Sequence, residues 1–159
     1  MKNYRRILVP MPSHGRGAAL LRRASEILPT SRADMMVVQV LDTRTGFESD
    51  GPAGSLAGER VARQVPSAKM RLDLLLARNN LGWAKSQVLC GEPRPAITDF
   101  IRAWKPDLVV TCAKFSPEEI STDLTDLLGN APDVLTVNCN GLFSFLSEAF
   151  GHHAAHGHA

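Results

Sequence analysis

The chain has little of what holds small or specialised folds together. Of its 159 residues only three are cysteine, Cys90, Cys112 and Cys139. An odd number without CxxC spacing argues against a disulfide framework and a zinc knuckle. A chain of this length buries roughly 70% of its unfolded surface and needs neither. An excess of one charge is also missing: 18 basic residues stand against 16 acidic ones. That balance gives no sequence-independent grip on a polyanion, and 6% aromatics leave little for a base-stacking surface, so no nucleic-acid partner is expected. No apolar run approaches the roughly 18 residues that span a bilayer. The opening MKNYRRILVP enters a short apolar run with no h-region or small-residue cleavage site, so the expected compartment is the cytoplasm. GxSxG, HExxH, the P-loop lysine motif and GxGxxG after a strand are all absent. His14 is the only histidine before the final residues, and beside Ser13 it lacks the orienting third group that nucleophilic catalysis needs. No catalytic residues are expected.

What the chain does have is alternation. Arg6 to Met11 (RILVPM) is an apolar run closed by prolines, the pattern of a strand buried on both faces. Arg16 to Leu28 carries Ala19, Leu20, Ala24, Ile27 and Leu28 at helical spacing. Asp34 to Leu41 is a second strand, and the glycine-rich Asp42 to Gly58 reads as a loop. A helix is expected from about Glu59 to Asn80, kinked or split at Pro66, with Met70, Leu74 and Leu75 continuing its apolar face. Trp83 to Leu89 has the looser pattern of an edge strand. A short helix over Pro95 to Trp104 precedes the strand Asp107 to Cys112. Ser116-Pro117-Glu118-Glu119 is a capped start for a helix to about Leu128, and Val134 to Cys139 is the last strand. Five strands separated by helices specify an α/β fold, one doubly wound domain with a parallel sheet and helices on both faces. Residues 1–139 form this domain, and 140–159 fall outside it.

Four segments, in order, resemble the universal stress protein family: Arg6-Ile7-Leu8-Val9-Pro10, Gly91-Glu92-Pro93 with Ile97 and Ile101, Lys105-Pro106-Asp107-Leu108-Val109-Val110, and Ala131-Pro132-Asp133-Val134-Leu135-Thr136-Val137. The resemblance implies a five-stranded sheet of order 3-2-1-4-5, with ligands outside the carboxyl ends of strands one and four. It also departs from the family's nucleotide-binding pattern. Pro12 occupies the acidic position after strand one, Cys112 and Phe115 stand where glycines are expected, and only Gly129 survives of the glycine motif. Phe115 puts a bulky side chain where a phosphate needs bare backbone, so no cofactor is expected. The alternative is an adenine nucleotide such as ATP or AMP, or another anion, held by Pro10, Ser13, His14 and Arg16 on one side and Lys114 and Ser116 on the other.

Cys112 and Cys139 end neighbouring strands and could meet as a redox pair or soft-metal site; the preferred reading is two small buried hydrophobes. After them, Gly141 to Phe150 places Leu142, Phe143, Phe145, Leu146 and Phe150 on one side of a helical wheel. Only Glu148 is charged there, so protein docking is favoured over a membrane surface. His152, His153, His156 and His158 would bind a transition metal only weakly without cysteine or carboxylate support, and no metal site is assigned. The resemblance implies dimerisation through the last strand, at Val134, Leu135, Thr136 and Val137. The expected function is a non-catalytic regulatory adapter, a homodimer that recruits a protein partner through the C-terminal segment. The rival is a small-molecule sensor or slow nucleotide hydrolase at the crevice.

Overall fold

The computed structural model describes residues 3–12, 17–28, 33–43, 55–112 and 132–138. In chain order its elements are β1 (Arg6–Pro10), α1 (Gly17–Ile27), β2 (Asp34–Asp42), α2 (Ser55–Arg78), β3 (Lys85–Gly91), α3 (Pro93–Trp104), β4 (Leu108–Cys112) and β5 (Asp133–Val137). All four strand pairs are parallel and the order is β3-β2-β1-β4-β5, as the resemblance implied. The first two crossovers step outward from β1 to β2 to β3, and the third jumps back across β1 to β4. Right-handed crossovers running in opposite directions put their helices on opposite faces. The packing follows this rule. Ile7, Val9, Met35, Val37, Leu108 and Val110 meet α1 and α2 on one face, while Leu8, Met36, Val38 and Val109 meet α3 on the other.

Local signals set the element ends. Gly91 closes β3 at φ 141°, a conformation that L side chains rarely adopt, and Glu92 then holds extended dihedrals as the N-cap of α3 with Pro93 in its first turn. At the far end Lys105 takes the left-handed conformation and returns its N–H to Ile101 O at 2.9 Å. The glycine and proline of the Gly-Glu-Pro segment thus each meet a backbone requirement between β3 and α3.

The structure corrects the reading of α2. The helix begins at Ser55, inside the stretch expected to be a loop, and runs without a break through Pro66. Pro66 lies on the exposed side, where its missing N–H faces away from the sheet. The buried stripe is Val61, Ala68, Leu72 and Leu76, with Leu75 partly buried against it. Met70 and Leu74, expected on that face, are 66% and 53% exposed. Smaller shifts occur at strand ends. β3 begins at Lys85, leaving Trp83 outside it and exposed, and β5 spans Asp133–Val137 rather than reaching residue 139. The edge position expected for β3 is the one observed. The helix expected over 116–128 and the amphipathic segment 141–150 lie outside the described residues. No helix among the described residues is long and apolar enough to cross a membrane.

The phase of α2 is testable by two leucine truncations measured in urea. Leu76→Ala removes a side chain from the core and should cost about 2–4 kcal/mol. Leu74→Ala, on the exposed face, should change stability by less than about 1 kcal/mol. Similar losses from both would mean that the helix is rotated from the position described.

Candidate functional site

The amino ends of the central strands are closed by polar contacts. The Asp107 carboxylate accepts the backbone N–H groups of Arg5 at 2.8 Å and Arg6 at 2.9 Å. Asp107 N–H in turn donates to Arg6 O at 2.9 Å, and Asp133 N–H donates to Asp107 O at 3.0 Å. The Arg6 guanidinium donates to Trp104 O at 2.9 Å and lies 6.0 Å from the Trp104 ring centroid. Tyr4 adds a hydroxyl bond to Asp133 Oδ2 at 2.9 Å, reaching the start of β5. The Pro-Asp pairs before β4 and β5 therefore place aspartates that fasten the strand starts to one another.

The carboxyl ends are built differently. β1 and β4 are neighbours whose flanking crossovers lie on opposite faces, so a crevice opens beyond their ends. Pro10 is buried at the end of β1 opposite Val38, and Met11 N–H donates to Val38 O at 2.7 Å. Met11 lies against the start of α1: a Cβ added at Gly17 would stand 2.2 Å from the Met11 methyl carbon. Glycine at this first helical position is what allows the approach. On the β4 side Thr111 and Cys112 are both 1% exposed. The structure thus gathers Pro10, Met11, Thr111 and Cys112 at the strand ends. Ser13, His14, Arg16, Lys114 and Ser116, the expected polar lining, lie outside the described residues.

Cys112 differs from the preferred sequence reading. It is buried on the α1/α2 face, but it is disulfide-bonded rather than a free thiol, while Cys90 is free and exposed at the sheet edge. An odd cysteine count cannot reveal one bridge and one free thiol. The signal lay in the two strand-ending cysteines.

Among the expected interface residues of β5, Val134 and Thr136 are exposed, Leu135 packs partly against the core, and Val137 is buried. The candidate interface therefore divides into two outward residues and two that hold the strand to its own domain. Leu142, Phe143, Phe145, Leu146 and Phe150 lie outside the described residues, as do His152, His153, His156 and His158. Among the described residues no group of three histidine, cysteine or acidic side chains could hold a metal ion.

Sequence reasoning missed a polar cluster between α2 and β3. Lys69 Nζ donates to both Asp73 oxygens, at 2.8 and 2.9 Å, and to Ser86 Oγ, while the Ser86 hydroxyl donates to Asp73 Oδ1. The Lys69–Asp73 half is legible from i,i+4 spacing, but the serine comes from another element. The trio has the residue types of a serine nucleophile with a lysine base, yet an ion-paired ammonium has no free electron pair with which to take a proton. Its role is to tie the helix to the edge strand. Hydrogen bonds from Lys69 and then Ser86 hold the Asp73 carboxyl below the usual carboxylate range. A lowered folded-state value stabilises above the unfolded value and loses that contribution as pH falls through the folded one. Urea denaturation should show Asp73→Asn less stable than the parent at pH 7 by no more than about 1 kcal/mol, since the pair is exposed. The difference should fade as the solution is acidified below the carboxylate range. A constant difference at every pH would remove Asp73 ionisation from the account.

The fold has many known counterparts of low sequence identity. The universal stress protein UspA from Lactobacillus plantarum is 19% identical, with a TM-score of 0.58, over 87% of this chain and 100% of that one. A universal stress protein in complex with cAMP is 14% identical, TM-score 0.55, over 87% and 99%. A universal stress protein family protein from Arabidopsis thaliana with AMP bound is 14% identical, TM-score 0.54, over 86% and 93%. No relative among curated proteins matches in sequence. At such identities these structures speak to fold alone. The family model for the universal stress protein family matches residues 3–114, a span that runs from the strap before β1 to just past β4. On that match, and on the strand order that accompanies it, the chain belongs to the universal stress protein family.

Proposed function

We propose that the protein is a non-catalytic regulatory module of the cytoplasm that acts as a homodimer and recruits a protein partner through its C-terminal segment. The observation that carries the dimer is Val134, a large apolar side chain left 40% exposed on β5, the strand that ends the sheet. Exposed Thr136 continues the same side of the strand, so a second copy laid along β5 would meet a β-branched surface. The apolar residues from Leu142 to Phe150 supply the recruiting surface, with Phe143, Phe145 and Phe150 as anchors of the kind that dominate interfaces. Regulation by docking needs no bound cofactor. Consistent with this reading, Pro12 and Phe115 stand where nucleotide-binding members carry an acidic residue and a glycine.

A specific observation favours a second reading, a small-molecule sensor at the strand-end crevice. Structures of the same fold carry AMP or cAMP. The buried strand ends Pro10 and Cys112 would form the floor, with Ser13, His14, Arg16, Lys114 and Ser116 supplying polar groups from the following segments. Weak nucleotide hydrolysis belongs to this second reading.

Sedimentation equilibrium and thermal denaturation separate the two. The dimer proposal expects Val134→Lys to weaken self-association at least tenfold, equivalent to about 1.4 kcal/mol, without loss of the folded domain. A variant that associates as tightly as the parent overturns the β5 interface. Removal of residues 140–159 should leave the domain folded and end partner capture; undiminished capture overturns the recruiting role. The sensor proposal expects ATP, AMP, cAMP or phosphate at millimolar concentration to raise the melting temperature. A ligand at a hundredfold excess over its dissociation constant adds roughly 2.7 kcal/mol. That rise should disappear in Lys114→Ala or Arg16→Ala.

A further inference from the structure

We infer that Cys112 is bonded to Cys139, and that the bond is a redox-set clasp fastening the carboxyl ends of β4 and β5. The chain has three cysteines. Cys90 is free and exposed on β3, at the opposite margin of the sheet, while Cys112 is disulfide-bonded. Cys112 is 1% exposed, so a second copy of the chain cannot reach its sulfur. Within one chain that leaves Cys139, which lies outside the described residues. The register supports the assignment. Cys112 pairs with Val137, and both belong to the core on the α1/α2 face. Cys139 follows Val137 by two positions, the interval that keeps a side chain on one face of a strand. Straight continuation of β5 would hold the two Cα atoms about 8 Å apart, beyond the roughly 4.4–6.8 Å that a disulfide accepts. β5 accordingly stops at Val137, and Asn138 has already left the ladder.

The clasp closes a loop from residue 112 to 139 that contains Lys114 and Ser116, and it sits immediately before the segment 140–159. Its formation is thiol–disulfide exchange. One thiolate attacks a small-molecule disulfide such as oxidised glutathione, forming a mixed disulfide and releasing one glutathione thiolate. The second cysteine thiolate displaces the other, so two protein thiols become one disulfide and two glutathione thiols are produced. A reducing cytoplasm opens the clasp and oxidative conditions close it.

The test uses the full chain, incubated with oxidised or reduced glutathione and then alkylated under denaturing conditions for peptide mass mapping. After oxidised glutathione, a peptide pair joined through Cys112 and Cys139 is expected, with Cys90 as the one thiol unable to pair within the chain. After reduced glutathione all three cysteines should be alkylated. Reduction should lower the melting temperature by about 5–15 °C. The Cys139→Ser variant, which leaves the Cys112 side chain in the core, should melt at one temperature in both buffers. Three alkylated thiols after oxidised glutathione, or a bond through Cys90, would overturn the pairing. A linked peptide with no change in melting temperature would overturn the clasp as a stabilising device.

Discussion

β1 is buried on both faces, and the rest of the molecule is arranged around that constraint. Ile7 and Val9 look toward α1 and α2 while Leu8 looks toward α3, all at 0–1% exposure. Each such side chain contributes roughly 1.5–3 kcal/mol relative to an exposed position. A strand with no polar side must lie at the sheet centre, with helices on both faces and a strand on each edge. β2 and β4 fill those edges in parallel register. Burial then declines outward: β3 is partly exposed and β5 alternates between exposed and covered residues. The Asp107 carboxylate belongs to the same constraint, because the N–H groups of Arg5 and Arg6 lead directly into β1 and need an acceptor at its start.

Central strands were legible in the sequence because burial on both faces leaves an unbroken apolar run. β1, β2 and β4 each appear within a residue or two of their observed bounds. The strand order came from the four family-like segments, since apolar runs alone do not say which strand neighbours which. α2 resisted because MRLDLLLAR has apolar residues in more than one helical phase. Only Val61 and Ala68, farther back along the same stripe, show that Leu72 and Leu76 face the sheet. Pro66 resisted for a related reason: a proline breaks a helix less readily where its lost hydrogen bond lies on the solvent side. Of the candidate site, the strand-end positions Pro10 and Cys112 were legible. The polar residues around them come from segments without strand or helix periodicity, and periodicity cannot place those.

The same two-sided burial shapes what a crevice here can do. Pro10, Met11 and Cys112 reach the carboxyl edge as apolar or weakly polar groups, so the strands supply a floor and no charge. Recognition of an anion would have to come from residues 13–16, residues 113–116 and the helix start at Gly17. Met11 already occupies the space against that helix start. Docking through β5 makes no such demand. Val134 and Thr136 face outward while Leu135 and Val137 anchor the strand to the domain, so an interface there can form without rearranging the core.

A disulfide at Cys112 has a different meaning in this domain from one in a small secreted scaffold. The buried core already spans both faces of a five-stranded sheet, and Cys112 contributes to it with either a thiol or a disulfide. The bond adds a restraint where the sheet is thinnest. β4 has β1 on one side, whereas β5 depends on β4 and on the Tyr4 and Asp107 contacts at its amino end. Those contacts fasten only the start of β5. A covalent tie from the last residue of β4 supplies the missing restraint at the other end, so its loss would be felt first at the margin carrying Val134 and the segment beyond it. Redox state and association would then be coupled through a single strand, with the core of β1, β2 and β4 left unchanged.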